Sequence, residues 1–126
     1  MINKIGKITI YVENQAEAKK FWCEKLGFVV TFVQPMGPHM TWLEVAPKEG
    51  CETTFVLYEK GLMLAQNKEA NVLHPNVILS TQNIEKSYEE MKAKGVEVGD
   101  LMKMPYGSMF SFKDQDNNSY LLREDQ

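Results

Sequence analysis

Thiols are scarce in this chain, with Cys23 and Cys51 its only cysteines. Two thiols without a CxxC spacing exclude a disulfide scaffold, and both are expected to be reduced in a cytoplasmic protein. Long hydrophobic runs are also missing. The longest nearly apolar stretch, Phe28 to Val33, contains Thr31 and falls far short of the roughly 18 residues that span a bilayer. Lys4 and Lys7 interrupt the N-terminus, so no signal-peptide core is expected there. Charge of one sign is not in excess either. The net charge of −3 comes from interspersed Lys and Glu residues, which speaks against nucleic acid or an anionic membrane as a partner. The phosphate-binding and dinucleotide-binding glycine patterns and the nucleophile elbow are absent from the sequence.

What remains is the composition of an ordinary globular protein, 44% hydrophobic and 25% charged over 126 residues. That length fits one domain. Its most informative property is that the chain is written twice. Lys7 to Val12 alternates with period two and is followed by Glu13, Asn14 and Gln15. From Ala16 to Leu26, apolar residues at Ala18, Phe21, Trp22 and Leu26 keep a helical spacing, and Gly27 stands where a helix stop is expected. Strands are predicted at Phe28 to Val33, Met40 to Ala46 and Thr53 to Tyr58. The second half repeats the order, with a strand at Asn76 to Thr81 and a helix from Ile84 to Lys94 stopped by Gly95. Val96 to Val98, Met109 to Lys113 and Ser119 to Arg123 then supply its remaining strands, the last two joined by the turn at Asp114 to Asn118. The expected fold is therefore α+β, two βαβββ modules forming curved mixed sheets around a cleft, with helices on the convex side. A single domain is expected over 1–126, with module one at about 4–58, a linker at 59–75 and module two at 76–124. In the linker, Leu62, Met63 and Leu64 are expected to pack on the sheet.

Strand parity separates two kinds of face. Ile8, Ile10, Val12, Leu43, Val45, Phe110, Phe112, Tyr120 and Leu122 form a uniformly apolar set that must cover the helices. The opposite set is too polar for a dry core and too aromatic for plain surface, as a ligand cleft would be. It contains Lys7 and Glu44, which share a facing parity that suits an ion pair or a charged ligand. It also contains Tyr11, Trp42 and Tyr58, whose rings would form flat walls, together with Ser111 and Arg123. A guanidinium at Arg123 is suited to clamp a carboxylate or phosphate. The bland alternative for each is a structural salt bridge, a core aromatic or a solvated arginine. Cys23 is better read as a packing residue beside Trp22 than as a reactive thiol. The acidic turn at Asp114, Asp116 and Asn117 lacks the Gly and late Glu of a calcium loop.

The turn Val12-Glu13-Asn14, the string from Ala18 to Phe28 (AKKFWCEKLGF) and the stretch from Phe112 to Asn118 (FKDQDNN) resemble the VxD, AxxFYxxxLGF and FxDPDGN patterns of the vicinal-oxygen-chelate superfamily. This is the group of glyoxalases, bleomycin-resistance proteins and extradiol dioxygenases, and the resemblance covers essentially the whole chain. It implies a metal site with one His, Gln or Glu on each inward strand. Carried over residue by residue, those positions fall on Lys7, Val56, Asn76 and Leu121. An ammonium has no lone pair to offer and the two aliphatic side chains have no donor atom; only Asn76 is a weak ligand. His39 and His74 are not brought near this set by any spacing. No metal and no cofactor are expected.

Three activities follow. The first is metal-independent binding of a small molecule in the cleft. The second is a metal-dependent lyase, isomerase or dioxygenase reaction of the same superfamily. The third is acid–base catalysis by Lys7 with Glu44. The resemblance also implies a homodimer.

Overall fold

A computed structural model describes residues 1–125 of the chain. It divides into two units, the first ending at His74 and the second beginning at Pro75. The division falls at the end of the stretch expected to be a linker.

The first unit runs β1 (Lys7–Val12), α1 (Gln15–Lys20), a π-helical turn (Phe21–Lys25), β2 (Val29–Pro35), β3 (Thr41–Ala46), β4 (Thr54–Glu59) and α2 (Lys60–Gln66). Its sheet has the order β1-β4-β3-β2, with β1 parallel to β4 and the other pairs antiparallel. The second unit contains β5 (Ile78–Ser80), α3 (Ile84–Ala93), β6 (Glu97–Val98), β7 (Met102–Met104), β8 (Gly107–Lys113) and β9 (Ser119–Asp125). Its sheet order is β5-β9-β8-β6, with β7 also on β8. The two orders are the same, and β5 is parallel to β9 as β1 is to β4. The repeat in the sequence is thus a repeat in topology, a mixed α+β fold with two open mixed sheets.

Local chemistry repeats as well. The Asn14 side chain accepts the Glu17 backbone N–H at 2.9 Å, and the Asn83 side chain accepts that of Lys86 at 3.1 Å. Each caps an orphan donor of its helix. A glutamate from the last strand of each unit does the same, Glu59 for the Gln15 N–H at 3.1 Å and Glu124 for the Ile84 N–H at 2.7 Å. Gly27 and Gly95 end their helices at φ 72° and 80°, a conformation that disfavours side chains with a Cβ.

Alternation places the core as the parity requires. Ile10, Val12, Leu43, Val45, Phe55 and Leu57 are buried in the first unit, and Phe110, Phe112, Tyr120 and Leu122 in the second. Ile8 is half-buried. Helix α1 supplies Ala18, and the π turn supplies Phe21 and Trp22, all buried. A π turn holds more residues per turn than an α-helix, so adjacent side chains diverge less. Phe21 and Trp22 can both turn inward, with ring centroids 5.4 Å apart, and Trp22 meets Phe55 at 5.2 Å. In the second unit Tyr88 of α3 meets Phe110 edge-on at 5.0 Å.

Three elements depart from the expectations. Residues 60–66 form α2, on which Leu62, Met63 and Leu64 are half-buried, where a linker was expected. The loop expected around Pro105 and Gly107 is a hairpin, because Met102 to Met104 pair with Gly107 to Met109. The strand expected at Asn76 to Thr81 is only Ile78–Ser80.

The turn after β8 is organised by Asp114, which is buried. Its carboxylate accepts the Asp116 N–H at 2.8 Å, the Asn118 N–H at 3.0 Å, the Asn118 Nδ2 at 3.2 Å and the Tyr120 hydroxyl at 2.7 Å. Burial, with the Asp114 charge beside it, pushes the Tyr120 hydroxyl far above its ordinary pKa, so it stays a donor. Asp114→Ala leaves these donors unpaired and should destabilise the fold by roughly 3 kcal/mol. Phe21→Ala should cost about 3–5 kcal/mol. Urea unfolding measures both, and a loss below about 1 kcal/mol in either variant would remove the hydrogen-bonding role assigned to Asp114 or the core role assigned to Phe21.

Candidate functional site

The strand registers of the first unit put Lys7 opposite Thr54, Thr9 opposite Val56, Tyr11 opposite Tyr58 and Glu44 opposite Val56. Since side chains on paired residues share a face, the six first-unit candidates Lys7, Tyr11, Trp42, Glu44, Val56 and Tyr58 stand on one side of the sheet. At its centre is Glu44, only 6% exposed. Its Oε1 accepts from Lys7 Nζ at 3.0 Å and from the Thr54 hydroxyl at 2.9 Å, and its Oε2 accepts from Trp42 Nε1 at 2.8 Å. One carboxylate therefore binds three strands together. Burial alone would raise the Glu44 pKa, but the hydrogen bonds from Trp42, Lys7 and Thr54, with the Lys7 charge, outweigh it and hold the carboxyl below its usual range.

The aromatic residues surround this knot. Tyr58 lies between Tyr11, 5.9 Å away, and Trp42, 6.3 Å away and perpendicular to it. Tyr58 and Val56 are buried, so they form the floor of the face, while Lys7 is exposed and Trp42 and Tyr11 are half-exposed. The Tyr58 hydroxyl bonds Gln66 Oε1 of α2 at 3.1 Å. Beyond Tyr58 is a small pocket of about 90 Å³ lined by Gln15, His39, Met40, Thr41, Glu59 and Leu62. Gln15 holds its wall in place, with Nε2 donating to the Thr41 and Leu57 carbonyls at 2.8 and 2.9 Å.

In the second unit, Ile78 and Ser111 both pair with Leu121. Asn76, Ser111 and Leu121, three of the candidates there, border one open depression of about 410 Å³ with Val77, Ile78, Ser119 and Tyr120. Arg123, the remaining candidate, is half-buried two residues further along β9 and opposite Met109. The registers make Glu44 and Ser111 equivalent, as they do Val56 and Leu121. The second depression therefore has no carboxylate where the first face has its central charge.

Thr54 and Gln15 were not among the candidates. The signal for Thr54 was available, since its parity in β4 matches that of Val56 and Tyr58. Gln15 had none, because its role depends on two backbone carbonyls brought together by the fold. Among the described residues no group of three or more His, Cys, Asp and Glu side chains is placed to hold a metal ion. The four positions that the resemblance assigns to metal ligands do not fit one. Val56 and Leu121 have no donor atom, and the Lys7 ammonium is a cation bonded to Glu44.

A carboxyl whose pKa is depressed by folding stabilises the fold above its unfolded pKa and loses that contribution as pH falls through the folded value. Stability of the protein should accordingly fall with acidification below the ordinary glutamate range. Glu44→Gln should flatten part of that dependence, as read by chemical unfolding at several pH values. An unchanged profile would mean that the Lys7–Glu44–Trp42 contacts do not hold the charge.

Comparison with known proteins places these features in a family. The chain is 43% identical over 125 residues to the uncharacterized protein YetH of Bacillus subtilis (strain 168), covering 98% of this chain and 100% of YetH. Among solved structures it is similar to TnmS3, an antibiotic binding protein from Streptomyces sp. CB03234, with 27% identity and a TM-score of 0.81 over 99% of this chain and 98% of that one. It is also similar to a glyoxalase/bleomycin resistance protein/dioxygenase superfamily member from Sphaerobacter thermophilus DSM 20745, at 25% identity, a TM-score of 0.82 and 98% coverage of each chain. The family model of the Glyoxalase/Bleomycin resistance protein/Dioxygenase superfamily matches residues 4–120, and the chain belongs to that superfamily.

Proposed function

We propose that this protein binds a small organic molecule without a metal ion, using the Lys7, Tyr11 and Trp42 side of its first sheet. The carrying observation is the Glu44 knot. At a position where the family resemblance calls for a metal ligand stands an ammonium already engaged with a buried carboxylate. The same contacts orient an indole beside it. The surface is therefore built to receive a ligand rather than a cation. The likeness to an antibiotic binding protein supports a ligand of that size class.

Catalysis by Lys7 and Glu44 is a weaker reading. A general base works best with a pKa near the operating pH, whereas its hydrogen bonds hold Glu44 below the ordinary carboxylate range. A homodimer in the cytoplasm completes the proposal. Phe32 and Val33 are 45% and 58% exposed on β2, an edge strand with apolar side chains of the kind that associating surfaces present. Cys23 and Cys51 are free thiols, as in a reducing compartment.

A thermal-shift screen of antibiotics and metabolites against EDTA-dialysed protein tests the binding reading. A ligand at a hundred times its dissociation constant should stabilise the fold by about 2.7 kcal/mol. Trp42→Ala should weaken that ligand by roughly tenfold or more, the loss of an aromatic contact at the centre of a site. Stabilisation that appears only after zinc, nickel or iron is restored, or that survives Trp42→Ala unchanged, would contradict it.

A further inference from the structure

We propose that the ligand of this face is an aromatic anion, its ring system against Trp42 and its oxyanion on Lys7 Nζ. The inference rests on the binding reading above and adds the charge and shape of what is bound.

The two charged side chains of the face are not equally available. Glu44 is 6% exposed, and both its oxygens are taken, Oε1 by Lys7 and Thr54 and Oε2 by Trp42. The Lys7 side chain is 51% exposed. An ammonium carries three N–H donors, and Glu44 uses one of them. The pair is thus a dipole whose positive end faces outward. An incoming oxyanion would meet the ammonium first, and it would form a charge-assisted hydrogen bond without displacing the carboxylate. An incoming cation would find the carboxylate turned inward behind its own counter-ion. The face therefore selects by sign even though its formal charges cancel.

Shape follows from the same knot. The Trp42 Nε1–H is tied to Glu44 Oε2, and the perpendicular Tyr58 ring abuts the indole. Its plane is fixed before a ligand arrives, so less rotamer freedom is lost on stacking. Because ammonium and indole are anchored to the two oxygens of one carboxylate, they are neighbours. The geometry suits a molecule whose acidic group is attached directly to a flat ring.

Two fluorescent probes separate these claims. 8-Anilinonaphthalene-1-sulfonate carries a sulfonate on a naphthalene, and N-phenyl-1-naphthylamine is the same framework without it. The sulfonate should bind to the native protein about tenfold or more tightly than the neutral amine. Lys7→Gln, which keeps a donor for Glu44 but removes the charge, should abolish that preference, the sulfonate losing far more affinity than the neutral probe. Lys7→Arg should retain it. Equal affinities in the native protein, or a preference that survives Lys7→Gln, would overturn the anion assignment while leaving the binding reading intact. Saturable binding of neither probe, or binding indifferent to Trp42→Ala, would overturn the binding reading and this one with it. If Lys7→Gln does not fold, the ratio measured on the native protein decides alone.

Discussion

A carboxylate removed from water must be supplied with donors or give up its charge. In the first sheet that requirement is met by Lys7, Trp42 and Thr54, which converge on Glu44 from three strands. Much else depends on the convergence. It sets the direction of the Lys7 ammonium and the plane of the Trp42 indole. It also fixes the side-chain order along the parallel β1–β4 pair, where Lys7 and Thr54 stand opposite one another. Removing one donor would leave the carboxylate undersatisfied in a poorly solvated place, so the arrangement is cooperative in the sense of a buried polar network. The aromatic ring contacts then extend the order from Trp42 to Tyr58 and on to Tyr11.

The second unit shows what the same topology looks like without that charge. Sheet order, helix caps and the glutamate that reaches back to the helix start are all repeated. At the row where the first unit has Thr9, Val56 and Glu44, the second has Ile78, Leu121 and Ser111. The topology is the same, but the centre of the face differs, with a buried carboxylate in the first unit and a serine beside two aliphatic side chains in the second. One topology therefore carries two unlike surfaces in this chain, in keeping with chemistry being set by side chains rather than by the fold.

Much of this could be read from residues alone, because period-two alternation in β1, β3 and β8 determines which side chains share a face. Parity made an ion pair of Lys7 with Glu44 one of two readings, and it placed Phe110 and Phe112 in the core, where both are buried. What could not be read depends on geometry created by other segments. The π turn has no spacing signature distinct from a helix, since Phe21 and Trp22 are compatible with either. Helix α2 has no strong apolar stripe, and its half-buried Leu62 to Leu64 look the same in a linker that lies on a sheet. Strand β7 owes its form to pairing with β8 more than to its own residues. The Gln15 contacts to two carbonyls are equally a product of the assembled fold.

On the proposed reading, the ordered Trp42–Glu44–Lys7 surface itself receives the ligand, with no metal between them. Two indole N–H signals make this directly visible by nitrogen–proton correlation NMR, because Trp42 is half-exposed on the face and Trp22 is wholly buried on the helix side. The most stabilising compound would be titrated into EDTA-treated protein. The expected result is a saturable shift of the Trp42 indole signal, with that of Trp22 nearly unmoved. A Trp42 signal that stays still at saturation, or that moves only after a divalent metal is added back, would contradict it.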